Sequence, residues 1–167
     1  MIVFDASTLI LIAKIEILDS FLRDVGHEIA IPAEVERECC NIKTSLDALM
    51  IRSALNESRI RVITVREKRL FGKVQGDFGL GKGEAEAIVL ALAEKAAVLG
   101  IDDKSGINAC KLLGVAFTTA IGILIRMCEK KLLTPSEALD KLNGLAQHGR
   151  YRGSILEDAR RKLETTT

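Results

Sequence analysis

Five short apolar runs, separated by stretches of helical periodicity, constrain the fold of this chain more than any other feature. The runs are 1-MIVF-4, 28-EIAI-31, 60-IRVITV-65, 97-AVLGI-101 and 115-VAFT-118. Apolar runs of this length are typical of strands that are buried on both faces of a parallel sheet. Parallel strands need crossover connections, which are usually helices. We therefore predict an α/β fold, a three-layer sandwich with a central five-stranded parallel sheet.

The stretches between the runs carry helical signals. The segment 7-STLILIAKIEILDSFL-22 is apolar all round and broken near Ile15, which predicts two short buried helices. Pro32 is expected at the first position of another helix, where its missing N–H costs nothing. Residues 45–58 and 82–96 repeat apolar side chains every 3.6 residues, as amphipathic or buried helices do.

The C-terminal third of the chain carries only helical patterns. Thr134 is predicted to cap one helix, with Pro135 in its first turn and Glu137 closing a capping box. A second box, 154-SILE-157, predicts the start of the last helix. Since no repeat or linker interrupts the sequence, and 167 residues suffice to bury a core, we predict a single domain over residues 1–167.

Composition limits the possible environments and partners. Apolar residues make up 48% of the chain and charged residues 28%, an ordinary globular balance. With a net charge of +1, any contact with nucleic acid must come from local basic patches. No apolar run approaches the ~20 residues of a membrane span, and Asp5 interrupts the N-terminal run. We expect no membrane segment and no signal peptide, and therefore a cytoplasmic protein.

The cysteines do not suggest a disulfide framework or a zinc site. None of the four lies in a C-x-x-C pair, and both histidines are distant from them in sequence. Cys110 and Cys128 lie in apolar helical stretches, where a free cysteine behaves as a small hydrophobic residue. Buried thiols are predicted at the four positions, which are Cys39, Cys40, Cys110 and Cys128.

Acidic residues follow the predicted strands at the edge where parallel sheets bind ligands. Asp5 ends the first strand, and Asp102 ends the fourth with Asp103 beside it. If strands one and four are neighbours, these carboxylates converge on one crevice. Glu38 follows the second strand by about two helical turns, and Glu84 begins the helix that leads into the fourth.

Converging carboxylates repel one another unless a proton or a metal ion intervenes. An all-oxygen set without histidine or cysteine suits a hard cation, Mg²⁺ or Mn²⁺. Each acid also has a structural interpretation. Asp5 could cap the helix that begins at Ser7, and Asp102 or Asp103 could cap the helix that follows them. Glu38 alone could be a solvated helix residue.

The loop before Glu84 resembles a phosphate-binding loop but does not match it. The string G-D-F-G-L-G-K-G, read from Gly76, nearly fits the template G-x-x-x-x-G-K-[ST]. Gly83, however, stands where a hydroxyl should coordinate Mg²⁺. The upstream segment 66-REKRLFGKVQ-75 is too charged to be the buried strand that feeds such a loop. A nucleotide hydrolase of this class is therefore a weak alternative.

Glu84 and Glu86 compete for the same role. Two residues apart on a helix, they point about 200° apart, so only one of them faces the crevice. Glu84 lies nearer the strand ends, so we expect Glu84 to carry the chemistry. Glu86 is then expected to behave as a surface residue that tolerates substitution.

Four segments together resemble the PIN-domain family of metal-dependent ribonucleases, which includes toxins of toxin–antitoxin pairs. They are 3-VFDAS-7, 31-IPAEVERE-38, 83-GEAEAIVLA-91 and 101-IDDKSGINAC-110. The chain looks most like a prokaryotic subfamily in which G-E-A-E-A-I replaces the usual D-A helix. PIN proteins share a five-stranded parallel sheet of Rossmann-like type, which agrees with the strand count above.

The resemblance implies roles for individual residues. Asp5, Glu38, Glu84 and Asp102 correspond to the catalytic acidic quartet of the family, and Asp5, Glu84, Asp102 and Asp103 to its metal ligands. Ser7 and Thr119 correspond to substrate-positioning hydroxyls. Alternatives stay open: Glu34 or Glu36 for Glu38, Glu86 for Glu84, and Asp103 for Asp102.

The implied activity is hydrolysis of RNA phosphodiesters with Mg²⁺ or Mn²⁺ as cofactor. The implied partners are an RNA substrate, an antitoxin protein and a second copy of the chain. Within residues 59–73, cationic side chains are candidates for RNA binding, namely Arg59, Arg61, Arg66, Lys68 and Arg69. The alternative is a catalytically idle PIN fold that binds RNA or protein.

Overall fold

A computed structural model describes residues 1–41 and 44–166 of the chain. Its centre is one sheet of five strands in the order β3-β2-β1-β4-β5. All four strand pairings are parallel. The strands are β1 (Ile2–Phe4), β2 (Ile29–Pro32), β3 (Arg61–Ile63), β4 (Val98–Gly100) and β5 (Phe117–Thr118). The predicted five-stranded parallel sheet is confirmed.

The strand register aligns the carboxyl ends of the central strands. Phe4 of β1 pairs with Gly100 of β4, and Gly100 pairs with Thr118 of β5. Phe4 also packs against Gly100, where a side chain would collide with the phenylalanine ring. Since β1 and β4 are neighbours, the residues that follow them meet at one edge of the sheet. The condition under which Asp5 and Asp102 were expected to converge is therefore met.

Ten helices surround this sheet within the described residues. They are α1 (Ala6–Lys14), α2 (Leu18–Asp24), α3 (Ala33–Cys40), α4 (Leu46–Asn56), α5 (Lys68–Phe78), α6 (Lys82–Ala93), α7 (Lys104–Leu113), α8 (Ala120–Glu129), α9 (Pro135–His148) and α10 (Gly153–Thr165). The predicted pair of helices broken near Ile15 is confirmed. So is the capping box of Thr134 and Glu137.

Side chains of the sheet alternate between two apolar cores. Phe4 and Ile31 face one core, which contains residues of α1, α4 and the C-terminal helices. Val3 and Leu99 face the other, which contains residues of α6 and α7. Because successive strand residues point to opposite faces, both faces of the sheet are covered. The predicted three-layer sandwich and the helical C-terminal third are therefore confirmed.

Two local predictions differ from the structure, and one helix was not predicted. Pro32 ends β2 and occupies the N-cap position of α3, rather than its first helical turn. The last helix begins at Gly153 after Arg152, so Ser154 does not cap it. The charged segment after β3 forms the helix α5, which was not predicted. Phe71, Val74 and Phe78 recur at helical spacing and pack against the core of α6 and α7, but the charged residues between them obscured this apolar stripe.

The remaining general predictions concern the thiols and the membrane. Cys39, Cys110 and Cys128 are buried thiols, Cys40 is partly buried, and none of these four cysteines is in a disulfide. Over residues 1–41 and 44–166, no helix combines the length and apolar character that a membrane span requires.

Candidate functional site

Asp5 lies at the centre of the carboxyl edge of the sheet. It caps α1, and its Oδ1 accepts a hydrogen bond of 2.8 Å from the backbone N–H of Thr8. Its Oδ2 accepts one of 2.6 Å from the hydroxyl of Ser7. The side chain is completely buried. Burial raises the pKa of Asp5 to about 7, against the opposing effect of the bonds from Ser7 and Thr8.

Asp102 lies beside Asp5 and is held by three donors. Its Oδ2 accepts hydrogen bonds of 2.8 Å from the Thr8 hydroxyl and from the backbone N–H of Ala120. Its Oδ1 accepts a bond of 2.5 Å from the hydroxyl of Tyr151. Thr8 therefore links the two carboxylates, with its N–H on Asp5 and its hydroxyl on Asp102. The negative charge of Asp102 also contributes to the raised pKa of Asp5.

Two other predicted site residues serve as helix caps. Asp103 caps α7, where its Oδ2 accepts a bond of 2.9 Å from the N–H of Gly106. Thr119 caps α8 through a bond of 3.2 Å from Gly122. Of the neighbouring acids Asp102 and Asp103, the structure directs Asp102 toward Asp5 and Asp103 toward α7.

Glu38 and Glu84 form a second pair, where α3 crosses the start of α6. The Glu38 carboxylate accepts a hydrogen bond from the N–H of Gly83. A Cβ at Gly83 would lie 2.5 Å from Oε1 of Glu38, so glycine is what allows this approach. Partial burial, Glu34 and Glu84 all raise the pKa of Glu38. Glu84 itself caps the start of α6, where its Oε2 accepts a hydrogen bond of 2.6 Å from the N–H of Gly81.

Glu86 is not the surface residue that the sequence indicated. Its side chain is 15% exposed, and its Oε2 accepts a bond of 3.1 Å from the N–H of Glu34 at the start of α3. Lys82 bridges to Glu34 at 2.7 Å, and Arg37 pairs with Glu34 as well. The prediction failed because α3 packs across this face of α6, which a helical wheel cannot show.

The phosphate-loop alternative is contradicted by the geometry. The helix α5, not a strand, precedes the connection to α6, and Gly79 ends α5 in the left-handed conformation. Lys82, which would contact the phosphates, forms ion pairs with Glu34 and Glu86. A P-loop needs a strand, a loop and a helix in succession, so this segment is a helix–helix connection.

The carboxylates fit a divalent cation by their chemistry, although they form pairs rather than one cluster. Over the described residues, no group of three or more His, Cys, Asp or Glu side chains converges on one point. The donors that contact Asp5 and Asp102 there are hydroxyls and backbone N–H groups, which leave both negative charges uncompensated. Two adjacent oxygen ligands of this kind suit Mg²⁺ or Mn²⁺. Asp5 and Asp102 would hold such an ion, while Glu38 and Glu84 form a separate pair where α3 meets α6.

The predicted RNA-binding cations separate into two groups. Arg59 forms ion pairs with Asp19 and Glu57, and Arg61 forms one with Glu28. The other three, Arg66, Lys68 and Arg69, line an open concave surface at the start of α5 together with Lys73. We call these last four residues the α5 basic patch. In the described part of the chain, its side chains form no ion pair.

Sequence reasoning missed Thr8 and Tyr151. Thr8 had a detectable signal, since it lies at the third helical position after a predicted N-cap, where an N–H normally contacts the cap. Tyr151 had only a weak one: it is the single tyrosine of the chain and lies between two predicted helices. It is half-buried, and burial and the nearby Asp102 raise the pKa of its hydroxyl above the ordinary value.

Replacing Gly83 with alanine should displace the Glu38 carboxylate without unfolding the protein, because that carboxylate is the mobile end of a side chain. We expect a melting temperature within about 3 °C of the wild type and a clear loss of any activity that needs Glu38. Gly76→Ala is the matched control, since a Cβ there meets nothing within 4 Å. Equal activity of the two variants would show that the position of Glu38 is unimportant.

Comparison with known proteins agrees with this geometry. The sequence profile of the PIN domain matches residues 1–164, nearly the whole chain. No curated protein gives a match. The family is generally one of nucleases, and its members typically use divalent metal ions. With this match over a sheet of order β3-β2-β1-β4-β5, the chain belongs to the PIN-domain family and has its nuclease-like fold.

Proposed function

We propose that this protein is an endoribonuclease that depends on Mg²⁺ or Mn²⁺. The observation that carries the proposal is the pairing of Asp5 and Asp102 at the carboxyl edge, linked by Thr8. Their donors are neutral groups, and the raised pKa of Asp5 reflects burial without a compensating cation. A site of this kind gains most from a doubly charged ion.

The residues of the chain have separable tasks in this proposal. Ser7 and Thr8 fix the two oxygens of Asp5, while Thr8 and Ala120 fix one oxygen of Asp102. Such second contacts orient metal ligands and are needed for full affinity. When bound, the metal ion activates a water and stabilises the charge that develops on the leaving oxygen. By their correspondence to acids of the PIN family, Glu38 and Glu84 would add negative charge to the same site.

The α5 basic patch supports an anionic polymer as substrate. It follows β3, and all strands are parallel, so the patch begins at the same edge of the sheet as Asp5. Its exposed cations would bind a phosphate backbone without reading its sequence. Aromatic residues are only 4% of the chain, which does not favour extensive base stacking. Arg59 and Arg61 are less suited to this role because acidic partners already hold them.

Cleavage of single-stranded RNA should require added Mn²⁺ or Mg²⁺ and should stop in EDTA. Asp102→Asn should lower the rate by about 100-fold or more, because the substitution removes a charged ligand oxygen. The matched control is Asp77→Asn, an exposed acid on α5, which should cleave like the wild type. Undiminished cleavage in EDTA, or by Asp102→Asn, would contradict the proposal.

A second candidate function is RNA binding without catalysis. It is favoured by one observation, the division of the described acids into two pairs. This candidate predicts that RNA binds with the usual dependence on salt but is not cleaved at any metal concentration. A toxin role, with an antitoxin partner and a homodimer, is a narrower form of the nuclease proposal. Growth arrest on expression that Asp102→Asn abolishes would support it.

A further inference from the structure

The connection between α9 and α10 reaches back to the carboxyl edge of the sheet. Tyr151 lies in this connection, and its hydroxyl donates a hydrogen bond of 2.5 Å to Oδ1 of Asp102. The tyrosine ring lies against Gly149, where any Cβ would collide with it. Buried residues of α9 and α10 belong to the core that also contains α1 and α8. The C-terminal helices therefore hold the hydroxyl in place from outside the sheet.

The three donors to Asp102 together restrict its carboxylate. An ionised carboxylate has about four lone-pair positions on its two oxygens. The Thr8 hydroxyl and the Ala120 N–H occupy the two lone-pair positions of Oδ2, and they orient that oxygen toward α1 and α8. Tyr151 is the donor to Oδ1. With this third bond the carboxylate cannot rotate freely, and one position on Oδ1 is left for a further partner.

We propose that Tyr151 is a positioning residue, which holds the Asp102 carboxylate in the orientation in which it would share a cation with Asp5. This inference rests on the proposed metal-dependent function. It assigns to the C-terminal helices a role in the site, because they supply a hydrogen bond that the sheet and its own connections do not. In this proposal Tyr151 acts through Asp102, to which its hydroxyl donates, and would not itself bind the ion.

Two other roles for the same contact make different predictions. A purely structural contact would stabilise the C-terminal helices and leave metal affinity unchanged. A blocking contact would occupy an oxygen that the ion needs, so its removal would increase metal affinity. The direction of the change in affinity therefore separates the three roles.

The test is a titration of the full-length protein with Mn²⁺, followed by electron paramagnetic resonance of the free ion. Tyr151→Phe keeps the ring against Gly149 and removes only the hydroxyl. We expect its dissociation constant to rise by about 10-fold or more, as is usual when a second contact to a metal ligand is lost. Its melting temperature in EDTA should stay within about 4 °C of the wild type.

Two further variants complete the comparison. Gly149→Ala keeps the hydroxyl but forces the ring to move, so it should weaken Mn²⁺ binding in the same direction. Arg150→Gln changes an exposed neighbour in the same connection and should leave the dissociation constant unchanged.

An unchanged or lower dissociation constant for Tyr151→Phe would overturn the positioning role while leaving the nuclease proposal intact. Absence of Mn²⁺ binding by the wild type would instead overturn the metal-dependent function, and this inference with it.

Discussion

In EDTA at pH 8, the Asp5→Asn variant should unfold at a temperature several degrees above that of the wild type. The pKa of Asp5 is raised from 3.8 to about 7 in the folded protein, mainly by burial. Between these values, the folded state retains a proton that the unfolded state has lost. The free energy of unfolding of the wild type should therefore fall by up to about 1.4 kcal/mol for each unit of rising pH. Asparagine removes this cost.

The difference between the two proteins should disappear near pH 4, where the folded wild type keeps the Asp5 proton and carries no buried charge. Thermal melts across this range measure the effect, with the exposed Asp77→Asn as a control that should follow the wild type. Asparagine also accepts the bond from the Thr8 N–H, so the cap of α1 is retained. A variant that is less stable than the wild type at pH 8 would show that the buried carboxylate is compensated by a partner.

Glu84→Gln should lose mainly cleavage activity, whereas Glu86→Gln should lose mainly stability. The amide oxygen of glutamine at position 84 can still accept the hydrogen bond from the N–H of Gly81. We therefore expect a nearly normal melting temperature, but a loss of metal-dependent cleavage of about 100-fold or more because a charged oxygen is gone. Glutamine at position 86 weakens the bond from the Glu34 N–H, which joins α3 to α6, and the ion pair with Lys82 within α6. We expect it to cost about 1–2 kcal/mol of stability, with cleavage reduced less than in Glu84→Gln.

Cleavage rates and melting temperatures of both variants test this contrast. Lys82→Ala is the third member of the set and should retain cleavage, since its partners are Glu34 and Glu86. If Glu86→Gln lost cleavage at wild-type stability while Glu84→Gln kept it, Glu86 would be the functional acid. Our assignment of the faces of α6 would then be wrong.

The sheet and the Asp5–Asp102 pair were accessible from the sequence for a physical reason. Strands buried on both faces leave uninterrupted apolar runs, and the residue after such a run must lie at the carboxyl edge. Only the adjacency of β1 and β4 had to be assumed, and the register of Phe4 with Gly100 supplies it.

Other parts of the site could not be predicted because they depend on contacts distant in sequence. Tyr151 contacts Asp102 across 49 residues, and no local pattern encodes that contact. The surroundings of Glu86 depend on α3, which packs against α6 from 52 residues away. A helical periodicity gives the direction of a side chain but not the element that it meets. The cap of α7 was similarly ambiguous, since Asp102 and Asp103 are equally good capping residues by type.

The central claim is that Asp5 and Asp102 together hold a divalent cation. Calorimetric titration of Mn²⁺ into the full-length protein at pH 8 tests it most directly, with Asp102→Asn as the comparison. We predict saturable binding by the wild type and an affinity at least about 10-fold weaker in the variant. Equal affinities for the two proteins, or no binding by either, would contradict the claim.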